Sequence, residues 1–376
     1  MNKMDTKSFN FNKSINSYIE SKKFSKFLPV QEESIPQLLK RKNSFVESPT
    51  GTGKTLSFLI PILNNLDLNN KSIQGIVIAP TKELATQIHN VLKEMKEFFD
   101  EEIYSVLAIG GEDFYDQSRK INNGTQIIVG TTDRITNLKL ESKMDLTNLK
   151  YLIIDEVDMI LNFGSFEEIQ ILSKDIPYKT TLGFFSASFP LEVQNFIKKL
   201  FNKEINNIII KEKEDAELIS HYIKAFDSNK LYTLKKLIKS NTFNPYFCLI
   251  FAKSHDEVDK LYRELKNMKV KDIGYFTSDL TQRERNRLLK QINNGDLIYL
   301  VTTDLMSRGM DFPGVTHIVN YSLPVDLTYY KHRVGRTNRN SVKGNIYDIY
   351  IDSDVVRYNE ISKKNQNIIF EKTTIK

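Results

Sequence analysis

The most constraining feature of the sequence is a short glycine-containing segment that joins an apolar run to a helix-forming run. Residues 48–55 read S-P-T-G-T-G-K-T, after a predicted strand at 44–48 and before a predicted helix from about residue 56. Glycines allow backbone dihedrals that other residues avoid, so successive amide N–H groups can point into one concavity. A strand, a glycine loop and a helix N-terminus together form a cradle for phosphate groups. The segment therefore predicts a nucleotide site in an α/β fold.

Two side chains of this segment have the chemistry that a bound nucleotide needs. Lys54 can reach the β- and γ-phosphates, and the Thr55 hydroxyl can hold Mg²⁺. Ser48 stands where the usual motif has its first glycine, but a tight turn before an ordinary helix rarely has this composition. We predict a nucleotide-binding loop made of Pro49, Thr50, Gly51, Thr52, Gly53, Lys54 and Thr55.

Length and composition restrict the class of protein. The chain has 376 residues, of which 40% are hydrophobic, enough for two or three domains with real cores. No apolar run reaches the ~18 residues of a membrane helix, and no apolar signal follows the N-terminus. The single cysteine, Cys248, excludes an intrachain disulfide and a multi-cysteine zinc site, and its apolar neighbours predict a buried strand. These features favour a cytoplasmic protein.

Charge is distributed unevenly along the chain. Residues 1–210 carry 25 Lys/Arg and 26 Asp/Glu, a net of −1, and residues 211–376 carry 28 and 21, a net of +7, which together give the total of +6. A basic second half indicates a polyanionic partner. An ordinary charged surface explains this charge equally well.

Strand and helix signals alternate through the first half of the chain. Helical patterns such as 82–98 and 190–201 separate short apolar runs. The runs are 74–79, 104–109, 126–129, 151–154 and 181–185. Short apolar runs divided by helices predict a parallel sheet that is covered on both faces.

The alternation stops at a charged run and then begins again. Residues 211–217 are almost entirely charged, which is typical of a linker. Further strand candidates are 221–226, 247–251, 272–276, 297–302, 317–320 and 345–350. The predicted fold class is α/β with two tandem domains, each a mostly parallel sheet flanked by helices. We place the first domain at 1–210, a short linker at 211–218 and the second domain at 219–376.

An acidic pair follows the apolar run 151–154. Because ligands of parallel sheets bind at the carboxyl ends of strands, Asp155 and Glu156 are predicted to lie near the phosphate loop. Asp155 can hold Mg²⁺ opposite Thr55, and Glu156 can orient and deprotonate an attacking water. The second domain contains Arg333, Arg336 and Arg339 at intervals of three, near one face if helical. Arginines supplied by another domain can stabilise the charge of phosphoryl transfer.

The order of these motifs is specific. Over nearly its full length the chain resembles the DEAD-box RNA helicases of helicase superfamily 2. The segments that carry the resemblance are Phe24 with Gln31, 48–55, 80–85, Gly110-Gly111, 131–134, 155–158, 186–188, 282–285, 302–311 and 332–339. The resemblance implies two RecA-like domains, ATP and Mg²⁺ as cofactors, and RNA as the partner, with a protein partner also possible.

The resemblance also implies roles for individual residues. Phe24 and Gln31 would recognise adenine, Asp311 would contact the ribose, and Arg336 and Arg339 would be arginine fingers beside the catalytic Lys54, Asp155 and Glu156. The residues implied to touch the RNA backbone are Pro80, Thr81, Lys82, Gly111, Arg134, Arg285 and Thr303. The residues implied to link hydrolysis to RNA binding are Asp158, Ser186, Ser188 and His332.

Several positions depart from the family pattern. Lys82 replaces an arginine and loses its bidentate fork, and Asn338 replaces a glycine. Thr132-Asp133 replaces Pro-Gly and adds a carboxylate beside the implied RNA path. The expected function is RNA-driven ATP hydrolysis that closes the two domains and unwinds short duplexes or remodels RNA–protein complexes. The alternatives are an ATP-gated RNA clamp with weak catalysis and a superfamily 2 DNA translocase.

Overall fold

The computed structural model shows two compact units, Met1–Glu212 and Lys213–Lys376. The structure describes residues 9–49, 51–142, 144–162, 165–210, 218–277, 279–304, 312, 314–324, 327–337, 344–365 and 368–375. Most of the predicted linker, together with Thr50, Asp311, Asn338 and Arg339, therefore lies outside the described residues.

The first unit alternates helices and strands. Its helices are α1 (Lys13–Ser21), α2 (Pro29–Leu39), α3 (Lys54–Asn64), α4 (Lys82–Lys96), α5 (Phe114–Asn122), α6 (Thr132–Ser142), α7 (Val157–Asn162), α8 (Phe166–Ser173) and α9 (Leu191–Phe201). Its strands are β1 (Ser44–Glu47), β2 (Gly75–Ala79), β3 (Ser105–Ala108), β4 (Ile127–Thr131), β5 (Tyr151–Ile154), β6 (Thr181–Ser186) and β7 (Asn206–Ile209).

The seven strands of the first unit form one sheet in the order β3-β4-β2-β5-β6-β1-β7. Every strand pairing among its described residues is parallel. Along β5, Ile153 packs into the apolar cluster on one face and Leu152 and Ile154 into the cluster on the other. Successive side chains of a strand point to opposite faces, so a run without polar residues is stable only where both faces are covered. The expected parallel sheet covered on both faces is confirmed.

The second unit has the same alternation. Its strands are β8 (Leu218–Lys224), β9 (Cys248–Ala252), β10 (Ile273–Phe276), β11 (Tyr299–Thr303), β12 (His317–Asn320), β13 (Asn345–Tyr350) and β14 (Ile368–Lys372). Its helices are α10 (Lys230–Lys239), α11 (His255–Asn267), α12 (Gln282–Asn293), α13 (Leu327–Val334) and α14 (Val355–Lys364). Cys248 is fully buried in the central strand β9, as predicted.

The two sheets share one topology. The second sheet runs β10-β11-β9-β12-β13-β8-β14, again with parallel pairings among the described residues. Numbered within its own unit, this is the same strand order as in the first sheet. In each unit, the carboxyl ends of the parallel strands lie along one edge of that unit's own sheet, which is the edge where ligands of such sheets bind.

The C-terminal segment differs from the sequence-based expectation. The strand candidates read from the sequence end at residue 350, but the chain beyond it contains α14 and the edge strand β14, which pairs with β8. β8 itself begins at Leu218, three residues before the predicted strand start at 221, and ends at Lys224, two residues before the predicted strand end at 226. Phe226 instead lies in a 3₁₀ turn and is 66% exposed.

The core of the first unit provides a stability prediction. Phe58 of α3 is fully buried and packs edge-on against Phe185, with 5.2 Å between ring centroids. We expect Phe58→Ala to lower the free energy of unfolding by about 3–5 kcal/mol, because the large cavity cannot collapse fully. Urea denaturation measures this, with Tyr178→Ala at an 80% exposed position as the control. A loss below about 1 kcal/mol would contradict the packing described.

Candidate nucleotide and nucleic-acid site

The phosphate loop connects β1 to α3 and is closed by its own side chains. The Ser48 and Thr52 hydroxyl groups lie 2.8 Å apart, and the Thr52 hydroxyl donates to the Pro49 carbonyl at 2.8 Å. The Ser48 amide donates to the Ser186 carbonyl of β6 at 2.9 Å. The serine that replaces the usual glycine therefore has a local use, since its hydroxyl helps to hold the loop shut.

Gly53 caps α3 in a backbone conformation that favours glycine. Its φ is +90°, and a Cβ atom there would lie 2.6 Å from Gln31 Nε2 and 2.9 Å from Leu28 Cδ1. Gln31 is buried; its Nε2 donates to the Gly53 carbonyl at 3.1 Å, and its Oε1 accepts from the Leu28 amide at 2.9 Å. Gln31 thus ties α2 to the phosphate loop, and Phe24, which precedes α2 in the chain, is 37% exposed.

A buried ion pair links the phosphate loop to the acidic pair. Lys54 Nζ lies 2.9 Å from Glu156 Oε1, and both side chains are at least nine-tenths buried. Burial alone would lower the pKa of Lys54, but the charges of Glu156 and Asp155 outweigh it and the pKa is raised. The structure therefore brings Lys54 and Glu156 together although 102 residues separate them.

The backbone at the acidic pair is unusual for residues with side chains. Glu156 has φ +48°, in the left-handed region that few non-glycine residues adopt. This turn follows β5 directly and starts α7 at Val157. Burial raises the pKa of Asp155 to about 7, although the Lys54 charge opposes the shift. The Asp155 carboxylate accepts from the Glu156 amide at 3.0 Å.

The next acidic residue faces the end of β6. The Asp158 amide donates to the Ser186 hydroxyl at 3.4 Å, and the Asp158 carboxylate accepts from the Met159 amide at 2.9 Å. Asp158 and Ser186 are buried, whereas Ser188 is intermediate in exposure. The structure thus joins the ends of β5 and β6 through Asp158 and Ser186.

The strand order divides the carboxyl edge of the first sheet into two regions. The phosphate loop follows β1, the acidic pair follows β5, and Ser186 ends β6; these three strands are neighbours. The residues of the first unit that are implied to touch RNA follow the other neighbouring set, β3, β4 and β2. In this second region Pro80 and Thr81 follow β2, Gly111 follows β3, and Arg134 lies in the first turn of α6.

Lys82 and Gly111 approach each other in the second region. Thr81 caps α4 by accepting from the Leu84 amide at 3.2 Å. Gly111 has φ +92°, and a Cβ atom there would lie 3.6 Å from Lys82 Nζ. The ammonium group that replaces the family's arginine therefore lies over the double-glycine turn.

Arg134 is anchored inside the first unit. Its Nε donates to Gln117 Oε1 at 2.7 Å, its Nη2 donates to the Glu112 carbonyl at 2.7 Å, and its guanidinium lies 4.8 Å from the centre of the Phe114 ring. Gln117 and Glu112 were not singled out in the sequence, because nothing local marks them as partners of Arg134. The neighbouring Asp133 is exposed in the first turn of α6, where the helix dipole favours an acidic residue.

In the second unit the predicted residues lie on several elements. Thr303 ends β11, and Arg285 of α12 donates through Nε to the Leu280 carbonyl at 2.9 Å. His332 lies on α13 and Arg336 just after it, and both are largely buried. The Arg336 amide donates to the Arg333 carbonyl at 3.0 Å, in a turn that follows the end of α13 at Val334.

Arg333 was expected near one face with Arg336 and Arg339, of which Arg339 lies outside the described residues. Arg333 is the largest of the fully buried side chains of the described chain, and Arg336 is also buried. Its guanidinium pairs with Asp304, which follows β11 just as Asp155 follows β5. An acidic residue directly after an apolar run is therefore a sequence signal for Asp304 as well as for Asp155.

Two kinds of feature are absent from the described residues. No group of three or more His, Cys, Asp or Glu side chains in that part of the chain is arranged to hold a metal ion. Among its helices, none combines the length and the apolar character that a bilayer crossing requires.

Comparison with known proteins extends these observations. A family model for the DEAD/DEAH box helicase matches residues 28–196, and one for the helicase conserved C-terminal domain matches residues 229–341. The DEAD-box ATP-dependent RNA helicase CshB of Listeria monocytogenes is 34% identical, over 94% of this chain and 81% of that protein. CshB of Staphylococcus aureus is 33% identical over 91% and 76%. S. cerevisiae Dbp5 bound to RNA and ADP BeF3 is 27% identical, with a TM-score of 0.84 over 98% of this chain and 95% of that chain.

The geometry around Gly53 gives a test of the loop. We expect Gly53→Ala to weaken nucleotide binding at least about tenfold, because the new methyl group strains the backbone and displaces Gln31. Titration with a fluorescent ADP measures the affinity. Gly295→Ala is the matched control, since it also has a positive φ, +75°, but lies in the second unit with its nearest atom at 3.5 Å. Equal affinities for Gly53→Ala and the wild type would contradict the described contact between Gln31 and the loop.

Proposed function

The chain belongs to the DEAD/DEAH box helicase family and is an ATP-dependent RNA helicase; we propose that its RNA-driven ATP hydrolysis uses the residues described above to unwind short duplexes or remodel RNA–protein complexes. The observation that carries this assignment of residues is the division of the first sheet's carboxyl edge. The nucleotide motifs follow the adjacent strands β5, β6 and β1, and the RNA motifs follow the adjacent strands β3, β4 and β2.

ATP binding and hydrolysis are assigned to the first region. We propose that the loop Pro49–Thr55 cradles the phosphates while Gln31 and Phe24 select adenine. Lys54 exchanges its pairing with Glu156 for the β- and γ-phosphates. Glu156 is then released to orient and deprotonate the attacking water.

Mg²⁺ fits the donors at this edge. The Thr55 hydroxyl and the buried Asp155 carboxylate are hard oxygen ligands, and Mg²⁺ usually takes only one or two such groups from the protein. The absence of a larger acidic cluster among the described residues agrees with a metal that keeps waters and phosphate oxygens. When bound, Mg²⁺ neutralises the charge that develops on the phosphates.

RNA binding is assigned to the second region and to the second unit. The residues proposed to touch the strand are Pro80, Thr81, Lys82, Gly111, Arg134, Arg285 and Thr303. Backbone amides, hydroxyls and cations of this kind bind phosphate and sugar without reading bases. Arg134 uses two of its five N–H donors within the protein, so others can still reach a phosphate. The structure of Dbp5 with RNA supports this proposal for a related fold.

The remaining residues are assigned to coupling. We propose that Arg336 and Arg339 stabilise the transferred phosphoryl group, that Asp311 contacts the ribose, and that His332 supports this segment. Asp158 with Ser186, beside Ser188, would transmit the state of the nucleotide to the RNA region, because these residues join β5 and β6 next to the acidic pair. We also propose a cytoplasmic location for this activity.

Glu156 provides the direct test of the catalytic assignment. We expect Glu156→Gln to lower RNA-stimulated ATP hydrolysis by about 10²–10⁴-fold, because an amide cannot accept the proton of the attacking water. ATP affinity should not fall, because Lys54 no longer has to leave a carboxylate in order to bind the phosphates. Single-turnover hydrolysis with saturating RNA measures the rate, and Glu167→Gln, at an exposed position in α8, is the control.

The result that would overturn this assignment is a Glu156→Gln enzyme with the wild-type rate. The clamp alternative would instead be favoured if the wild-type protein binds RNA tightly in the presence of ATP but hydrolyses ATP no faster than the Glu156→Gln variant does.

RNA preference separates the remaining alternative. We expect unlabelled single-stranded DNA to displace labelled RNA of the same sequence only at a concentration at least about tenfold higher than RNA requires, because contacts to 2′-hydroxyls are lost. Fluorescence anisotropy with an ATP analogue present measures this competition. Equal competition by DNA and RNA would favour a DNA translocase.

A further inference from the structure

Arg333 is the centre of a buried polar network in the second unit. Its Nε lies 2.5 Å from Asp304 Oδ1, and its Nη2 donates to Asp304 Oδ2 at 2.7 Å. Its Nη1 donates to Asn320 Oδ1 at 2.9 Å and to the Ser322 carbonyl at 2.6 Å. The side chain is 2% exposed. Four of the five N–H donors of this guanidinium are therefore engaged within the protein.

This pairing leaves Arg333 poorly suited to contact a phosphate. The Phe251 ring lies 4.8 Å from the centre of the guanidinium and covers one face of it. To reach a ligand, Arg333 would have to leave a bidentate carboxylate and two further acceptors inside the fold. Removing a buried charge from its partner is strongly unfavourable. The arginine that precedes Arg336 by one turn therefore serves the protein itself.

The network joins elements that the chain separates. Asp304 directly follows β11, Asn320 ends β12, and Arg333 is on α13. The Asn320 amide donates to the buried Asp348 of β13 at 2.6 Å. Asp348 also accepts at 2.8 Å from the hydroxyl group of Tyr330, which lies on α13 together with Arg333. One helix is thus held at two points, Arg333 and Tyr330, against residues of three strand segments: the end of β11, the end of β12 and the interior of β13.

We infer that Arg333 is a positioning residue for ATP hydrolysis: its pairing with Asp304 and Asn320 fixes α13 against the ends of β11 and β12 and thereby sets the place of Arg336. This inference rests on the proposed role of Arg336. The backbone hydrogen bond from the Arg336 amide to the Arg333 carbonyl links the position of Arg336 directly to that of Arg333. A charge-stabilising group must be placed to well within an ångström, so a small shift of this helix reduces the rate.

Arg333→Lys is the main test, because lysine keeps the charge but loses the planar fork that Asp304 and Asn320 engage. We expect kcat for RNA-stimulated ATP hydrolysis to fall at least about tenfold while KM for ATP stays within about twofold. The control is Arg263→Lys, which changes an exposed pair with Asp259 in the same unit. An unchanged kcat for Arg333→Lys would overturn the inference.

A double variant tests whether Arg333 acts through Arg336. We expect Arg333→Lys combined with Arg336→Lys to be no slower than Arg336→Lys alone, because effects on one functional group are not additive. Independent, multiplying losses would overturn the inference. If Arg333→Lys fails to fold, Asp304→Asn replaces it in both measurements, with the same expected outcomes.

Hydrogen exchange separates this inference from the proposed function. In Arg333→Lys we expect faster amide exchange in α13 and at the end of β12, with exchange in the first unit unchanged. If Arg336→Lys alone leaves kcat at the wild-type value, the proposed role of Arg336 is wrong, and the inference that depends on it is overturned with it. If Arg336→Lys is slow but α13 exchanges at the wild-type rate in Arg333→Lys, only the positioning inference is overturned.

Discussion

The ion pair between Lys54 and Glu156 is the interaction on which the first unit's site depends. It joins the loop after β1 to the turn after β5, and both partners are nearly excluded from water. A buried charge without its partner costs several kcal/mol, so this pair holds the two motifs together. The same ammonium is the group that phosphates attract, and the same carboxylate is the group that can accept a proton. One contact therefore both stabilises the edge of the sheet and keeps its reactive groups paired.

The second unit uses the same principle with different residues. Its ion pair, Arg333 with Asp304, also joins a helix to the end of a strand. The Arg333 side chain is almost fully buried and the Asp304 side chain is 19% exposed, and Asn320 and Asp348 extend the network across the sheet. Burial raises the pKa of Asp348, while hydrogen bonds from Asn320, Tyr330 and Ser220 oppose the shift. The two sheets share one topology, but their ion pairs have different roles: Lys54 with Glu156 holds the reactive groups, and Arg333 with Asp304 holds a helix in place.

The sequence predicted the fold class well, because strands buried on both faces consist of continuous apolar residues. β5 and β9 are fully apolar, and their positions were predicted to within one residue. The edge strand β14 was missed because it contains only three apolar residues, Ile368–Phe370. Its other two residues, Glu371 and Lys372, are charged and exposed. The strand order could not be predicted either, because pairing depends on contacts across the whole unit and not on local pattern. The division of the sheet edge into two regions became visible only with that order.

The candidate site shows the same limit. The phosphate loop and the acidic pair were recognised because each has a distinctive spacing beside a strand, and family membership is confirmed. The hydrogen-bond and ion-pair partners of a side chain cannot be recognised from the local sequence in the same way. Arg333 was grouped with Arg336 by periodicity, yet its acceptor, Asp304, lies 29 residues earlier. Gln31 likewise resembled a base-reading group, and its bond to the Gly53 carbonyl depends on the packing of α2 against the loop.

The proposed mechanism requires that RNA drives the hydrolysis of ATP at the Lys54–Glu156 edge. Steady-state ATP hydrolysis at saturating ATP, measured with and without single-stranded RNA, is the experiment that we would perform first. We expect a low rate without RNA and a strong, saturable increase when RNA is added. An equal rate in both conditions would contradict it, because hydrolysis would then not depend on the RNA region of the sheet edge.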